Sequence, residues 1–153
     1  MTKATTDRNR TITVLLNGTN HTLQSIVPIP FQMSKPSLLG NTLHLEFGVL
    51  IGITGDIKGR LILAGDQAVF RSIGESMFGM PVGDEMLPSF SGELGNMLAG
   101  GIATVIVEND VTTDITAPTI MQGDTTLSGY EKSIRLTATF DGIGDLQIYL
   151  LID

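Results

Sequence analysis

Ser91-Gly92-Glu93-Leu94-Gly95-Asn96-Met97-Leu98-Ala99-Gly100-Gly101 is the stretch on which the fold turns. Leu94, Leu98, Ile102, Val105 and Ile106 recur at helical spacing and define a stripe that faces a core. Glu93 and Asn96 stand at i and i+3, so they project from one face as surface neighbours. Their separation along the axis is roughly 4.5 Å at the helical rise. Gly92, Gly95, Gly100 and Gly101 each weaken a helix by roughly 1 kcal/mol against alanine. Close packing on a neighbouring element is one reason to keep them. Approach of another molecule to the face carrying Glu93 and Asn96 is a second, and a helix that ends near Gly100-Gly101 is a third. The Glu-x-x-Asn pair alone suits either a solvated helix face or a site.

Working outward, this helix spans residues 89–107 and follows a loop with Pro81 and Pro88. Before the loop, Asp66 sits where an N-cap belongs. It precedes a helix to Phe78 with Val69, Ile73 and Met77 on one face, and Gly79 marks its C-terminus. Residues 42–53 and 60–64 are strand-like, joined by a turn over 54–59. Residues 31–41 read as loop, and residues 11–27 as an amphipathic helix stopped by Pro28 and Pro30. Residues 1–9 read as a flexible tail before a single domain, 10–153. Downstream of the long helix, residues 111–116, 118–122, 133–140 and 146–152 are strand-like. The pattern predicts an α+β fold, an antiparallel sheet packed by helices, with the apolar terminal run 147–152 near its centre.

A chain of 153 residues, 42% hydrophobic and 16% charged, buries a substantial single core. Its net charge of -7 and lack of any basic run disfavour nucleic acid and anionic membrane surfaces, and favour a partner with basic or mixed charge. With no cysteine, neither a disulfide framework nor a thiolate metal site is available. The polar start lacks the apolar core of a signal peptide, and no apolar run approaches the roughly 18 residues of a membrane span. The expectation is a cytoplasmic protein. The glycosylation-type triplets at Asn9, Asn17 and Asn20 then carry no meaning.

Other constellations fail. His21 and His44 are the only histidines, scattered and without a co-ligand pair, and read as surface or half-buried residues. Gly52-Ile53-Thr54-Gly55 with Gly59 lacks the Gly-Lys-Ser/Thr ending of a phosphate loop and fits a strand-turn-strand better. Met77, Met80, Met86, Met97 and Met121 read as core filler. Glu93 and Asn96 remain as the candidates.

Gly92-Glu93-Leu94-Gly95-Asn96-Met97-x-Ala99-Gly100 resembles the active-site helix of the CheC/CheX/FliY chemotaxis phosphatases. Their pattern is Ser/Asp-x-x-x-Glu-x-x-Asn with a proline further on, matched here by Ser89, Glu93, Asn96 and Pro118. Residues 49–55 leading into Gly59-Arg60-Leu61, and Pro118-Thr119-Ile120-x-x-Gly123, are similar to CheX in particular. The likeness runs from about Lys35 to the C-terminus. It implies a CheC-like fold and hydrolysis of the aspartyl phosphate of a phosphorylated CheY-like response regulator. In that role Glu93 would pair with a receiver lysine and Asn96 would position the attacking water. The resemblance implies no cofactor of the chain's own, with Mg²⁺ expected in the partner receiver domain. One Glu-x-x-Asn copy is the CheX arrangement, which implies a homodimer. The alternative is a non-catalytic adaptor that binds a receiver or a flagellar-switch component, and a plain dimeric scaffold is a third possibility.

Overall fold

The computed structural model describes residues 3–153. Helix α1 (Lys3–Ile26) is followed by short strands β1 (Phe31–Met33) and β2 (Ser37–Leu38), then β3 (Leu43–Gly55) and β4 (Gly59–Ala64). Helices α2 (Gln67–Phe78) and α3 (Leu87–Ile106) come next, with a 3-10 turn at Val107–Asn109. Strands β5 (Thr113–Ile115), β6 (Thr119–Leu127), β7 (Lys132–Phe140) and β8 (Gly144–Ile152) complete the chain. The strands form one sheet in the order β1-β7-β8-β4-β3-β5, with β2 also on β7 and β6 also on β3. Every pairing is antiparallel. The α+β architecture expected from the sequence is the one observed.

Strand β8 shows why its run is so apolar. It lies between β4 and β7, with Leu146, Ile148, Leu150 and Ile152 buried in the main core. Tyr149 and Leu151 point the other way, into a second cluster with Leu43, Leu45 and Ile62. A strand buried on both faces loses the polar alternation of a half-exposed one. On β3, Phe47, Val49, Ile51 and Ile53 face the helices, and a register shift between Leu45 and Phe47 sends Leu45 to the second cluster.

Glycine lets α3 sit close to its neighbours. A Cβ on Gly95 would lie 2.8 Å from Val49 Cγ1 and 3.1 Å from Ile51 Cδ1, so α3 rests directly on β3. Gly101 abuts Thr22 of α1, and a Cβ on Gly18 would lie 2.9 Å from Ile106 Cγ2. The stripe Leu94, Leu98, Ile102 and Ile106 is buried as expected, while Val105 is only half-buried.

Several expectations change. Helix α1 begins at Lys3, so residues 3–9 are helical rather than a tail, and residues 1 and 2 lie outside the described residues. The span 31–41 is not all loop: β1 and β2 pair with the outer edge of β7, where Phe31 stands opposite Phe140 with ring centroids 5.1 Å apart. Strand β6 continues past Gln122 to Leu127. Asp66 occupies the N-cap position of α2, but its side chain makes no capping hydrogen bond. Gly79 closes α2 as read, with a left-handed φ of 71° and its N–H donating to the Glu75 carbonyl. Met80 and Met86 are exposed, not core filler. Against the expectation of no span-length apolar run, Leu87–Asn109 is long and apolar enough to cross a membrane, with a mean hydropathy of 1.3. Here half of that window is buried inside the fold.

The packing makes a contrast between two glycines of α3. Gly95→Val is expected to destabilise by about 1–3 kcal/mol through overpacking against β3. A Cβ on Gly100 would meet nothing within 4 Å, so its change to alanine is expected to stabilise by about 0.5–1 kcal/mol. Urea denaturation of both variants checks this, and a wild-type midpoint for Gly95→Val would refute the close contact.

Candidate functional site

The rotation of α3 decides which side chains reach solvent. With Gly95 against β3 and Gly101 against α1, the residues Ser89, Glu93 and Asn96 are exposed, and Gly100 lies between Asn96 and Thr104 on the same open face. Among the described residues, no hydrogen bond or ion pair occupies the Glu93 or Asn96 side chain. Both are free to engage another molecule. Helical geometry at 3.6 residues per turn places Asn96 on the side nearer Gly92, and Glu93 on the side nearer Met97.

Pro118 forms the wall beside this stripe. A Cβ on Gly92 would lie 3.5 Å from Pro118 Cγ and 3.4 Å from Ile120 Cδ1, so the segment entering β6 lies against α3 at the level of Glu93. That segment is held from behind. The Gly52 N–H donates to Thr116 Oγ1 at 2.8 Å, and the Thr116 N–H donates to the Gly52 carbonyl at 3.0 Å. The absent side chain of Gly52 leaves the space that the Thr116 side chain fills. Further back, Asp56 Oδ2 accepts from the Thr112 N–H at 2.7 Å, and the Asp56 N–H donates to the Thr112 carbonyl at 2.9 Å. The turn between β3 and β4 therefore fixes the entry to β5, and β5 delivers Thr116 and Pro118 to the helix.

The structure brings Ser89, Glu93 and Asn96 to one face of α3, with Pro118 beside it. Sequence reasoning missed Thr116 and Gly52. The available signal was a glycine inside an otherwise β-branched strand, which marks close approach of another group. Of the three reasons weighed for the α3 glycines, packing explains Gly95 and Gly101, while Gly100 alone stays open. The helix does not end there.

The remaining polar groups do not join this site. His21 and His44 are exposed, and His44 Nε2 lies 2.9 Å from Asp124 Oδ1. A cleft of about 500 Å³ near the start of α2 is lined by His44, Glu46, Asp66, Asp145 and Tyr149, among others, and includes neither Glu93 nor Asn96. Burial pushes the Tyr149 hydroxyl above its ordinary value of 10.0, against the opposing pull of Arg135. It stays protonated at neutral pH and offers no base. Among the described residues, no cluster of three or more histidine, aspartate or glutamate side chains is placed to hold a metal ion.

Residues 47–140, more than half of the chain, match the family of the chemotaxis phosphatase CheX. The chain belongs to that family. It is 28% identical over 151 residues to the CheY-P phosphatase CheX of Thermotoga maritima, covering 94% of this chain and 96% of that one. A chemotaxis protein CheX from Desulfovibrio desulfuricans shares the fold with a TM-score of 0.77 at 18% identity, covering 92% of this chain and 97% of the other. The CheX of Borrelia burgdorferi, solved as a CheX-CheY-BeF3-Mg²⁺ complex, has a TM-score of 0.76 at 20% identity, covering 92% and 96% of the two chains. The CheC-like fold is thereby shown, and membership makes this CheX-family chain a chemotaxis phosphatase by family.

Thr116→Val tests the support behind Pro118. It keeps the shape but removes the acceptor for the Gly52 N–H, so a loss of about 1 kcal/mol is expected. Faster hydrogen exchange at the Gly52 amide should accompany it. An unchanged amide would show that the Thr116 hydroxyl does not hold this segment.

Proposed function

We propose that this chain hydrolyses the aspartyl phosphate of a CheY-like response regulator, in the cytoplasm, through Glu93 and Asn96. The observation that carries the reading is the intact Glu93/Asn96 pair, unengaged on an open helix face beside Pro118. Family membership supports it, as does the Thermotoga maritima relative described as a CheY-P phosphatase. The Borrelia burgdorferi complex with CheY, BeF3 and Mg²⁺ supports a receiver domain as partner.

An acyl phosphate is already activated, so catalysis consists chiefly of placing water in line with the phosphorus. The water oxygen forms the new P–O bond as the bond to the aspartyl oxygen breaks, giving a free carboxylate and inorganic phosphate. A neutral carboxamide holds such a water without repelling the phosphoryl oxygens, and this role falls to Asn96. Glu93 would repel the phosphoryl group directly. It is suited instead to an ion pair with a receiver lysine, which orients the two proteins. The reading needs no cofactor of the chain's own, since the Mg²⁺ belongs to the receiver. No nucleic acid or membrane enters it.

The two side chains should fail differently. Glu93→Ala is expected to weaken binding and reduce its salt sensitivity. Asn96→Ala is expected to lower the maximal rate by roughly 10²-fold or more while the phosphorylated receiver still binds. Neither should shift stability by more than about 0.5 kcal/mol, since both side chains are exposed. The measurement is phosphate release from a panel of phosphorylated receiver domains of the same genome, at saturating enzyme. Wild-type turnover by Asn96→Ala would replace catalysis with the adaptor reading.

A homodimer completes the proposal. Among the described residues, strands β5 and β6 pair with β3 alone, so their outer edges are open to a further strand. Sedimentation at micromolar concentration is expected to give twice the 16.3 kDa chain mass. A monomer alone would rule it out.

A further inference from the structure

Three of the large exposed apolar side chains gather at one place, the end of α2 and the connection to α3. Phe78 is 50% exposed, Met80 54% and Met86 48%. Phe78 meets the buried ring of Phe90 edge-on, with centroids 5.4 Å apart. Met86, the residue before α3, accepts the Phe90 N–H at its carbonyl, so it stands at the same end of the helix as the buried Phe90 ring on which Phe78 packs. Met80 borders a shallow groove of about 320 Å³ formed with Glu75, Gly79 and Pro81. The ion pair between Arg71 and Asp84 ties the connection back to α2.

Position and charge say what covers this surface. Met86, Ser89 and Glu93 follow one another at i, i+3 and i+7, so the apolar patch runs directly into the polar stripe of α3. From Ser72 to Asn109 the sequence holds no lysine, arginine or histidine. Exposed Glu75 borders the groove beside Met80, exposed Glu85 adjoins Met86 in sequence, and exposed Glu93 stands two turns beyond Met86. An apolar centre with an acidic rim complements a partner surface that carries an apolar residue flanked by lysine or arginine. Methionine, unbranched and polarizable, adapts well to such a partner.

We propose that Phe78, Met80 and Met86 form a docking surface that seats the phosphorylated receiver domain while Asn96 reaches its phosphoryl group. This inference rests on the phosphatase reading above. The patch acts on affinity and leaves the chemical step to Asn96.

The test uses the full chain with Met80→Gln and Met86→Gln, singly and together, because both side chains are half in water and their loss should not disturb folding. Leu38→Gln serves as the control, an exposed apolar residue of β2, which pairs with β7. Steady-state dephosphorylation and calorimetric binding of receiver domains loaded with BeF3 and Mg²⁺ are the readouts. The double variant is expected to raise KM and Kd by about tenfold or more, on the scale of a buried anchor, with kcat at saturation and thermal melting unchanged. Wild-type KM and Kd would overturn the docking surface while leaving the phosphatase reading intact. A change in sedimentation with unchanged KM would make the patch a contact between copies of this chain, which also overturns it. If the wild type neither binds nor dephosphorylates any receiver, both readings fall.

Discussion

The close seating of α3 between β3 and α1 is the constraint on which the rest depends. Gly95 admits Val49 and Ile51 on one side, and Gly101 with Gly18 admits α1 on another. These contacts leave α3 one rotational setting, because any turn about its axis would drive Leu94 or Leu98 out of the core. Each of those leucines is fully buried, so removing either side chain would cost about 2–5 kcal/mol. Glu93 and Asn96 are therefore presented outward by packing on the far side of the helix. Their own interactions contribute nothing to holding them there.

A second chain of contacts builds the other wall. The Asp56 turn fixes Thr112, β5 carries the register forward, and Thr116 locks onto Gly52 before Pro118 reaches Gly92. Each link is a hydrogen bond between a side chain and the backbone, a backbone pairing, or a space left by a glycine. The polar stripe thus sits on a regular helix, and its flanking proline lies in the short connection between β5 and β6, anchored through Thr116 rather than carried on a long loop.

This arrangement suits the reaction proposed above, in which the substrate is itself a folded protein. The face carrying Glu93 and Asn96 is open, and the cleft of about 500 Å³ lies elsewhere, near the start of α2. A small metabolite would be poorly held on an open helix face, whereas a folded partner such as the receiver domain proposed above meets it surface to surface. The apolar patch at Phe78, Met80 and Met86 extends the same face and belongs to the same logic of surface-to-surface recognition.

Local pattern alone determined a good deal of this protein. The buried stripe of α3, the left-handed close of α2 at Gly79, the 42–64 hairpin and the central place of β8 all follow from periodicity, turn chemistry and the length of apolar runs. The candidate pair was legible because a carboxylate and a carboxamide interrupt an apolar helix at one-turn spacing. Tertiary structure decided the rest. Strands β1 and β2 are too short to show a pattern and exist because the edge of β7 pairs them. Helix α1 extends back to Lys3 although its sequence there is polar, since propagating an existing helix is far easier than nucleating one. Whether a methionine fills a core or faces water, and whether a glycine packs or lies open, depends on what stands opposite it. No residue's own chemistry contains that information, so Met80, Met86, Gly100 and Thr116 acquired their places only when the chain closed on itself.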